Sequence, residues 1–151
     1  MNEPALSSSI VSQLRSVAML QALADEELAA LAALMTGRTV RAGEALVTEG
    51  AAGDEMFVLL RGQVRVSKRT LDDDQYTVAL RDEQGTPIFG ELALLDEDRR
   101  SASIHTVRDC ELLVLTRERF ERFGNDHPRA GLLIMRHLAK GVSGNLRRAN
   151  E

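Results

Sequence analysis

Between Thr39 and Leu115 the chain is cut by glycines and acidic turns into apolar runs too short for ordinary helices, and this punctuation limits the fold more than any other feature. Val40-Arg41-Ala42-Gly43-Glu44 contains a turn, Leu46-Val47-Thr48-Glu49 reads as a strand, and Gly50 to Asp54 forms another turn. Met56-Phe57-Val58-Leu59-Leu60 is an almost continuous apolar strand, and Gly62 turns it into the alternating run Gln63-Val64-Arg65-Val66-Ser67. Asp72-Asp73-Asp74 marks a solvated hairpin loop before Tyr76-Thr77-Val78-Ala79-Leu80, and Cys110-Glu111-Leu112-Leu113-Val114-Leu115 is strand-like again. Many short strands at this spacing predict an antiparallel β-roll, closed or double-sheeted in the manner of a jelly roll.

Helical patterns flank the strands, so the expected class is mainly β with helices at both ends. Residues 1–9 read as a flexible tail with little to bury. From Ile10, Val11, Leu14 and Val17 recur at helical spacing, and Asp25-Glu26-Glu27 caps and charges a second helix whose stripe is Leu28, Leu31, Leu34 and Met35, with Gly37 as its stop. These N-terminal helices, 10–38, are expected to pack on the sheet of a roll spanning 39–116. In the C-terminal helices, 117–151, Thr116 is the N-cap, Phe120 and Phe123 anchor the first, Gly124-Asn125 ends it, and Asp126 caps the last with Pro128 in its first turn. That last helix carries Leu132, Met135, Ala139, Val142 and Leu146 as a heptad-like seam beside a second stripe, Gly131, Ile134, Leu138 and Gly141. The roll accounts for one stripe; a symmetric partner, making a homodimer through this helix, would account for the other.

With 151 residues, 44% of them hydrophobic, the whole chain is expected to be one domain with a proper core. A net charge of −4 provides no basic footprint for nucleic acid, so DNA is not an expected partner. No run is apolar enough to span a membrane and no secretory signal opens the chain, while the single cysteine, Cys110, reads as a buried thiol in a reducing compartment; the expected location is the cytoplasm. His105, His127 and His137 are scattered, and no nucleophile elbow, Cys-His pair or phosphate loop ending in Lys-Ser or Lys-Thr occurs. Neither a catalytic residue, a metal site nor a catalytic cofactor is expected, and the protein is read as a non-enzyme.

What remains is a binding motif. In Phe89-Gly90-Glu91-Leu92-Ala93-Leu94-Leu95, Gly90 can take positive φ and lets backbone approach a ligand closely. The first amides of the turn that follows lack intrahelical partners, so Leu92 and Ala93 offer donors to an anion. Arg100, in Arg99-Arg100-Ser101-Ala102-Ser103-Ile104, adds a planar fork suited to phosphate oxygens. A carboxylate beside a phosphate is repelled, but Glu91 fits if it accepts from a sugar hydroxyl. Phosphate and sugar side by side describe a nucleotide.

Phe-Gly-Glu-Leu-Ala-Leu-Leu followed by Arg-Ser-Ala-Ser resembles the phosphate-binding cassette, residues 89–103 here, of cyclic-nucleotide-binding domains, the family of the cAMP receptor protein and of the kinase regulatory subunits. Ala-Gly-Glu, Glu-Gly, Gly-Asp-Glu-Met-Phe-Val-Leu and Gly-Gln-Val, in that order, resemble the same family, so the likeness covers residues 16 to 148. It implies cAMP or cGMP as ligand, with Glu91 on the ribose 2′-hydroxyl, Arg100 on the phosphate, the backbone of Leu92 and Ala93 completing the cradle, and Ser101 adding a hydroxyl. A hydroxyl there occurs in cAMP and cGMP sites alike. Such domains cap the base from the last helix, where Leu138, Lys140 and Asn145 are the candidates. Asp96-Glu97-Asp98-Arg99 departs from a family loop that often contains glycine and proline. The implied function is a sensor that converts occupancy into movement of the final helix about a hinge at Phe120 to Asn125, acting on an unknown protein effector. The alternative is a degenerate roll that has kept the fold as an interaction module and lost the ligand.

Overall fold

The computed structural model describes residues 8–85, 87–95 and 99–149. Its elements run α1 (Ser8–Arg15), a 3₁₀ turn (Ala18–Leu20), α2 (Asp25–Ala33), β1 (Thr36–Val40), β2 (Ala45–Val47), β3 (Glu55–Arg61), β4 (Gln63–Arg69), β5 (Gln75–Asp82), β6 (Ile88–Phe89), a second 3₁₀ turn (Glu91–Leu94), β7 (Ser103–Thr106), β8 (Cys110–Thr116), α3 (Arg117–Asp126) and α4 (Pro128–Ala149). The strands pair antiparallel into two four-stranded sheets, ordered β1-β8-β3-β6 and β2-β7-β4-β5. This is the expected β-roll with helices at both ends.

The unbroken apolar runs find their reason in the layering. Phe57, Leu59, Leu112 and Val114 turn into the roll, beside Phe89 of their own sheet and against Val47, Val64 and Ile104 of the facing one. Met56, Val58, Leu113 and Leu115, on the opposite face, meet Leu14, Leu20, Leu28 and Leu31 from the N-terminal segment and Phe120, Phe123 and Ile134 from the C-terminal one. β3 and β8 are therefore covered on both sides over Met56–Leu60 and Leu112–Leu115, where every position is apolar and buried, whereas β5, at a sheet edge, stays largely exposed. The tight β3–β4 turn depends on Gly62, at φ +125, where a Cβ would fall 2.5 Å from the buried Cys110 sulfur. Burial pushes the Cys110 thiol up, which keeps it protonated and inert.

Two glycines expected to stop helices do something else. Gly37 lies inside β1, opposite Leu113 of β8, and α2 has already ended at Ala33. β8 needs a pairing partner on each side, and Thr36, Thr39 and Val40 around the glycine favour extended backbone. Gly124 and Asn125 lie inside α3, which runs on to Asp126. The stop comes from Pro128, which drives the preceding residue, His127, out of the helical region to φ −134, ψ 71. Asp126 thus closes α3 instead of capping α4. It is Gly131 that serves the crossing of the two helices, since a Cβ on it would sit 3.0 Å from the Gly124 Cα, whereas one on Gly124 would meet nothing. Thr116 caps α3 as expected, its hydroxyl accepting from the Arg119 amide at 3.2 Å.

The two stripes of α4 part company. Gly131, Ile134 and Leu138 are buried, while Leu132 and Met135 are 57% and 39% exposed, Ala139 is exposed and Val142 half-buried. The Leu146 side chain, residues 1–7 of the tail and the acidic segment 96–98 lie outside the described residues.

Candidate functional site

Phe89 ends β6 stacked on Phe57 of β3, ring centres 5.3 Å apart, and this contact sets where the chain turns. Gly90 follows at φ +74, the left-handed conformation expected of it. Space is equally restrictive: a Cβ there would lie 3.1 Å from the Glu55 carbonyl oxygen and 3.1 Å from Arg100 Nη1. The 3₁₀ turn beginning at Glu91 buries Ala93 and Leu94 and leaves Leu92 exposed.

One expected donor is differently engaged. The Ala93 amide donates to the Gly90 carbonyl at 3.1 Å. A 3₁₀ turn bonds each amide to the residue three back, so it closes one amide earlier than an α-helix would. The amides without an intrahelical partner are those of Glu91 and Leu92, and the cradle shifts one residue towards Gly90.

Arg100 is half-buried and firmly placed. Nη2 donates to the Glu55 carbonyl at 2.8 Å and Nη1 to the Gly90 carbonyl at 3.4 Å. Its own backbone is tied to the β2–β3 turn through Arg100 N to Ala51 O and Gly50 N to Arg100 O, each 2.8 Å. The guanidinium lies against Gly53, where a Cβ would fall 2.5 Å from its central carbon. Burial pushes Arg100 below the ordinary arginine value while the Glu55 and Asp54 carboxylates oppose the shift; it stays charged at any physiological pH. Two of its five N–H donors are occupied by carbonyls, which leaves capacity for an anion. Arg99 is exposed, its Nη1 donating to the Gly50 carbonyl at 2.8 Å.

Gly90, Glu91, Leu92, Ala93, Arg100 and Ser101 all border one cavity of about 230 Å³. Val47, Val66 and Ile104 give it an apolar floor drawn from β2, β4 and β7. Small apolar pockets with a few convergent polar groups hold small ligands, and this one is somewhat smaller than the usual range of about 300–1,000 Å³. Besides that apolar floor, Gly53 and Arg81 escaped the sequence reading. Gly53 is the seat of Arg100, and its signal was the Gly-Asp-Glu run read only as a turn. Arg81, on β5, also borders the cavity; it sits opposite Val64 in the ladder, and that register alone could have pointed it inward.

No described side chain of the final helix borders this cavity. Leu138, with His137, borders a neighbouring space of about 320 Å³ against Val17 and Met19, and Lys140 is exposed. Neither Leu138 nor Lys140 therefore stands where a cap on the first cavity would be needed, and the side chain of Asn145 lies outside the described residues. Glu91 borders both spaces. Among the described residues no group of three His, Cys, Asp or Glu is placed to hold a metal ion, and no helix is long and apolar enough to cross a membrane.

Comparison with known proteins bears on this cavity. A family model described as cyclic nucleotide-binding domain matches residues 37–127, which include every residue named above on its border. The chain is 35% identical over 117 residues to the cGMP-dependent protein kinase, isozyme 1, of Drosophila melanogaster, covering 77% of this chain and 15% of that one. It is 32% identical over 128 residues to the cyclic AMP receptor protein of Thermus thermophilus, covering 85% and 56% respectively. The chain thus spans less than two thirds of the length of these relatives. The N-terminal domain of a transcriptional regulator from Streptomyces coelicolor A3(2), a solved structure, superposes with a TM-score of 0.79 at 28% identity, over 91% of this chain and 92% of that domain.

Proposed function

The chain belongs to the cyclic nucleotide-binding domain family, and on that premise we propose that it is a sensor that takes cAMP or cGMP into the cavity above the Gly90 turn and reports occupancy through its final helix. The observation that carries the reading is the convergence on one cavity of a left-handed glycine, the Glu91 carboxylate and a half-buried arginine with donors to spare. Arg100 takes the exocyclic oxygens of the cyclic phosphate, helped by the Glu91 and Leu92 amides and the Ser101 hydroxyl. Glu91 accepts from the ribose 2′-hydroxyl, and Val47, Val66 and Ile104 pack against the sugar and base. No bond is made or broken in this role.

Transmission uses contacts already present. Arg117, the first residue of α3, donates from Nη1 to the Ala93 carbonyl at 3.3 Å, so the end of the cassette is tied to the start of the C-terminal helices. A ligand that draws the Gly90 turn inward pulls on that tie and shifts the balance between positions of α3 and α4 by its differential affinity for them. The exposed stripe of Leu132, Met135 and Ala139 on α4 is the surface through which two copies pair, and a protein effector reads the result. A lone buried thiol suits a reducing compartment, and the sensor is placed in the cytoplasm.

Calorimetric titration with cAMP and with cGMP tests the reading directly. Saturable one-to-one uptake of either nucleotide is the expected result. Heat of dilution alone for both would leave the degenerate interaction module as the surviving account.

A further inference from the structure

We infer, building on the cyclic-nucleotide reading above, that Arg38 is a positioning residue for the site: it holds the Glu55 carboxylate off Arg100 and so keeps that arginine open to phosphate. Arg38 lies on β1, and no described residue of that strand borders the cavity. It touches instead the two residues of β3 that support the cassette. Its Nη2 donates to Glu55 Oε2 at 3.1 Å, and its guanidinium stands over the Phe57 ring, 5.8 Å from the centre. Phe57 in turn stacks on Phe89, after which the chain turns at Gly90. Register accounts for the meeting. Arg38 pairs with Leu112 and Phe57 with Val114, both of them turned into the roll, and Glu55 precedes Phe57 by two residues on the same strand face.

Glu55 can act on Arg100 in two ways. Its backbone carbonyl accepts from Nη2 at 2.8 Å, a bond that leaves the rest of the guanidinium free. Its carboxylate would not leave it free. Glu55 is the first of two carboxylates whose charge acts on Arg100, Asp54 being the second, and its side chain starts from the residue that already seats the guanidinium. A carboxylate fits a guanidinium fork as a phosphate does, so it would take the donors that the ligand needs. Arg38 removes that competitor by offering Glu55 a fork of its own. Among the described residues it is the one hydrogen-bond partner of that carboxylate. The two side chains are 42% and 31% exposed, so the pair is screened less than one at a wet rim. A competitor within the molecule lowers apparent affinity by the fraction of molecules it closes. If Glu55 captured Arg100 in about nine molecules of ten, uptake would weaken about tenfold. Arg38 thus acts through Glu55 without touching the ligand.

The test is calorimetric titration of cAMP and cGMP into native protein, Arg38→Gln, Arg38→Lys, Glu55→Gln and the double variant Arg38→Gln/Glu55→Gln, with thermal melts alongside. Arg38→Gln frees the carboxylate and should weaken both nucleotides about tenfold. The double variant loses the competitor as well and should return to within about threefold of native affinity, as should Glu55→Gln alone. Arg38→Lys keeps a cation for Glu55 and should bind nearly as native protein does. Rescue separates this role from a structural one, because removing a second charged side chain cannot repair packing on Phe57. A double variant as weak as Arg38→Gln, or an Arg38→Gln protein that binds as tightly as native, would overturn the inference. So would a tenfold loss in Glu55→Gln alone, which keeps the test decisive should Arg38→Gln not fold. Native protein that takes up neither nucleotide would overturn the nucleotide reading itself, a result distinct from uptake that is indifferent to Arg38.

Discussion

At the scale of single residues, Arg100 and Arg99 stand side by side in sequence and differ in what surrounds them. Arg100 is half-buried and held by the Glu55 and Gly90 carbonyls; Arg99 is exposed. A charge pair in a partly desolvated site is worth more than one at a wet rim, so Arg100→Ala is expected to cost about 2–5 kcal/mol of nucleotide binding. Arg99→Ala should cost about 1 kcal/mol or less. Titration of both variants checks this, and equal losses would reverse the assignment. Gly53→Ala makes a sharper demand, because the added methyl would occupy the seat of the Arg100 guanidinium. The arginine can swing aside at little cost to the fold, so affinity should drop about tenfold or more while the melting temperature stays near the native value. A variant that melts early and still binds normally would show that Gly53 serves the turn and not the site.

At the scale of elements, the N-terminal helices are braced to the C-terminal ones by Glu27. Its carboxylate accepts from the Ala24 amide at 2.7 Å, capping α2, and from Arg129 Nη1 of α4 at 2.6 Å. The amide of Ala24 above all, with Arg129 and His127 adding to it against the opposing effect of burial, holds Glu27 below the ordinary carboxylate value of 4.5. A depressed folded value means the brace contributes fully above the unfolded value and fades as pH falls through the folded one. Thermal melts of native protein and Glu27→Gln should therefore be furthest apart near neutral pH and draw together below 4.5. A gap that is constant with pH would remove the carboxylate charge from the brace. The brace also bears on signalling, since α4 cannot shift without loading it.

At the scale of the whole molecule, α4 presents one apolar stripe to the roll and another to water. Leu132 and Met135 are large, exposed and neighbours across one helical turn, which is uncommon on a surface with nothing to cover it. Pairing with a second copy about a two-fold axis would bring each stripe against itself. Leu132→Glu should then set like charges into the seam and yield monomer, while the roll keeps its stability because that side chain touches solvent. Sedimentation at tens of micromolar, compared between native and variant, decides the matter. A native protein of monomer mass with and without nucleotide would return the stripe to some other use.

The sequence alone carried everything whose cause is local. Alternation, glycine punctuation and the run from Phe89 to Ser101 were enough for the β-roll and for a binding cassette, because a left-handed glycine and a charged fork act within a few residues of where they stand. The same held for the Thr116 cap, which bonds an amide three residues away. Tertiary structure decided what depends on distant partners. Gly37 suits a helix stop and a strand equally, and only the need of β8 for a neighbour put it in β1. Gly124 stays helical because Pro128 places the break further on, and only the fold brings Gly131 across it closely. The Ala93 amide is spent on Gly90 because the cassette turn winds as 3₁₀, a choice made by the packing of Ala93 and Leu94 and invisible in their identities. Arg81 and Gly53 joined the site only through strand register and through the path of an arginine nearly fifty residues further along the chain from Gly53. Backbone preference is a property of neighbours in sequence, whereas burial, pairing and the direction of a side chain belong to whatever the fold brings alongside.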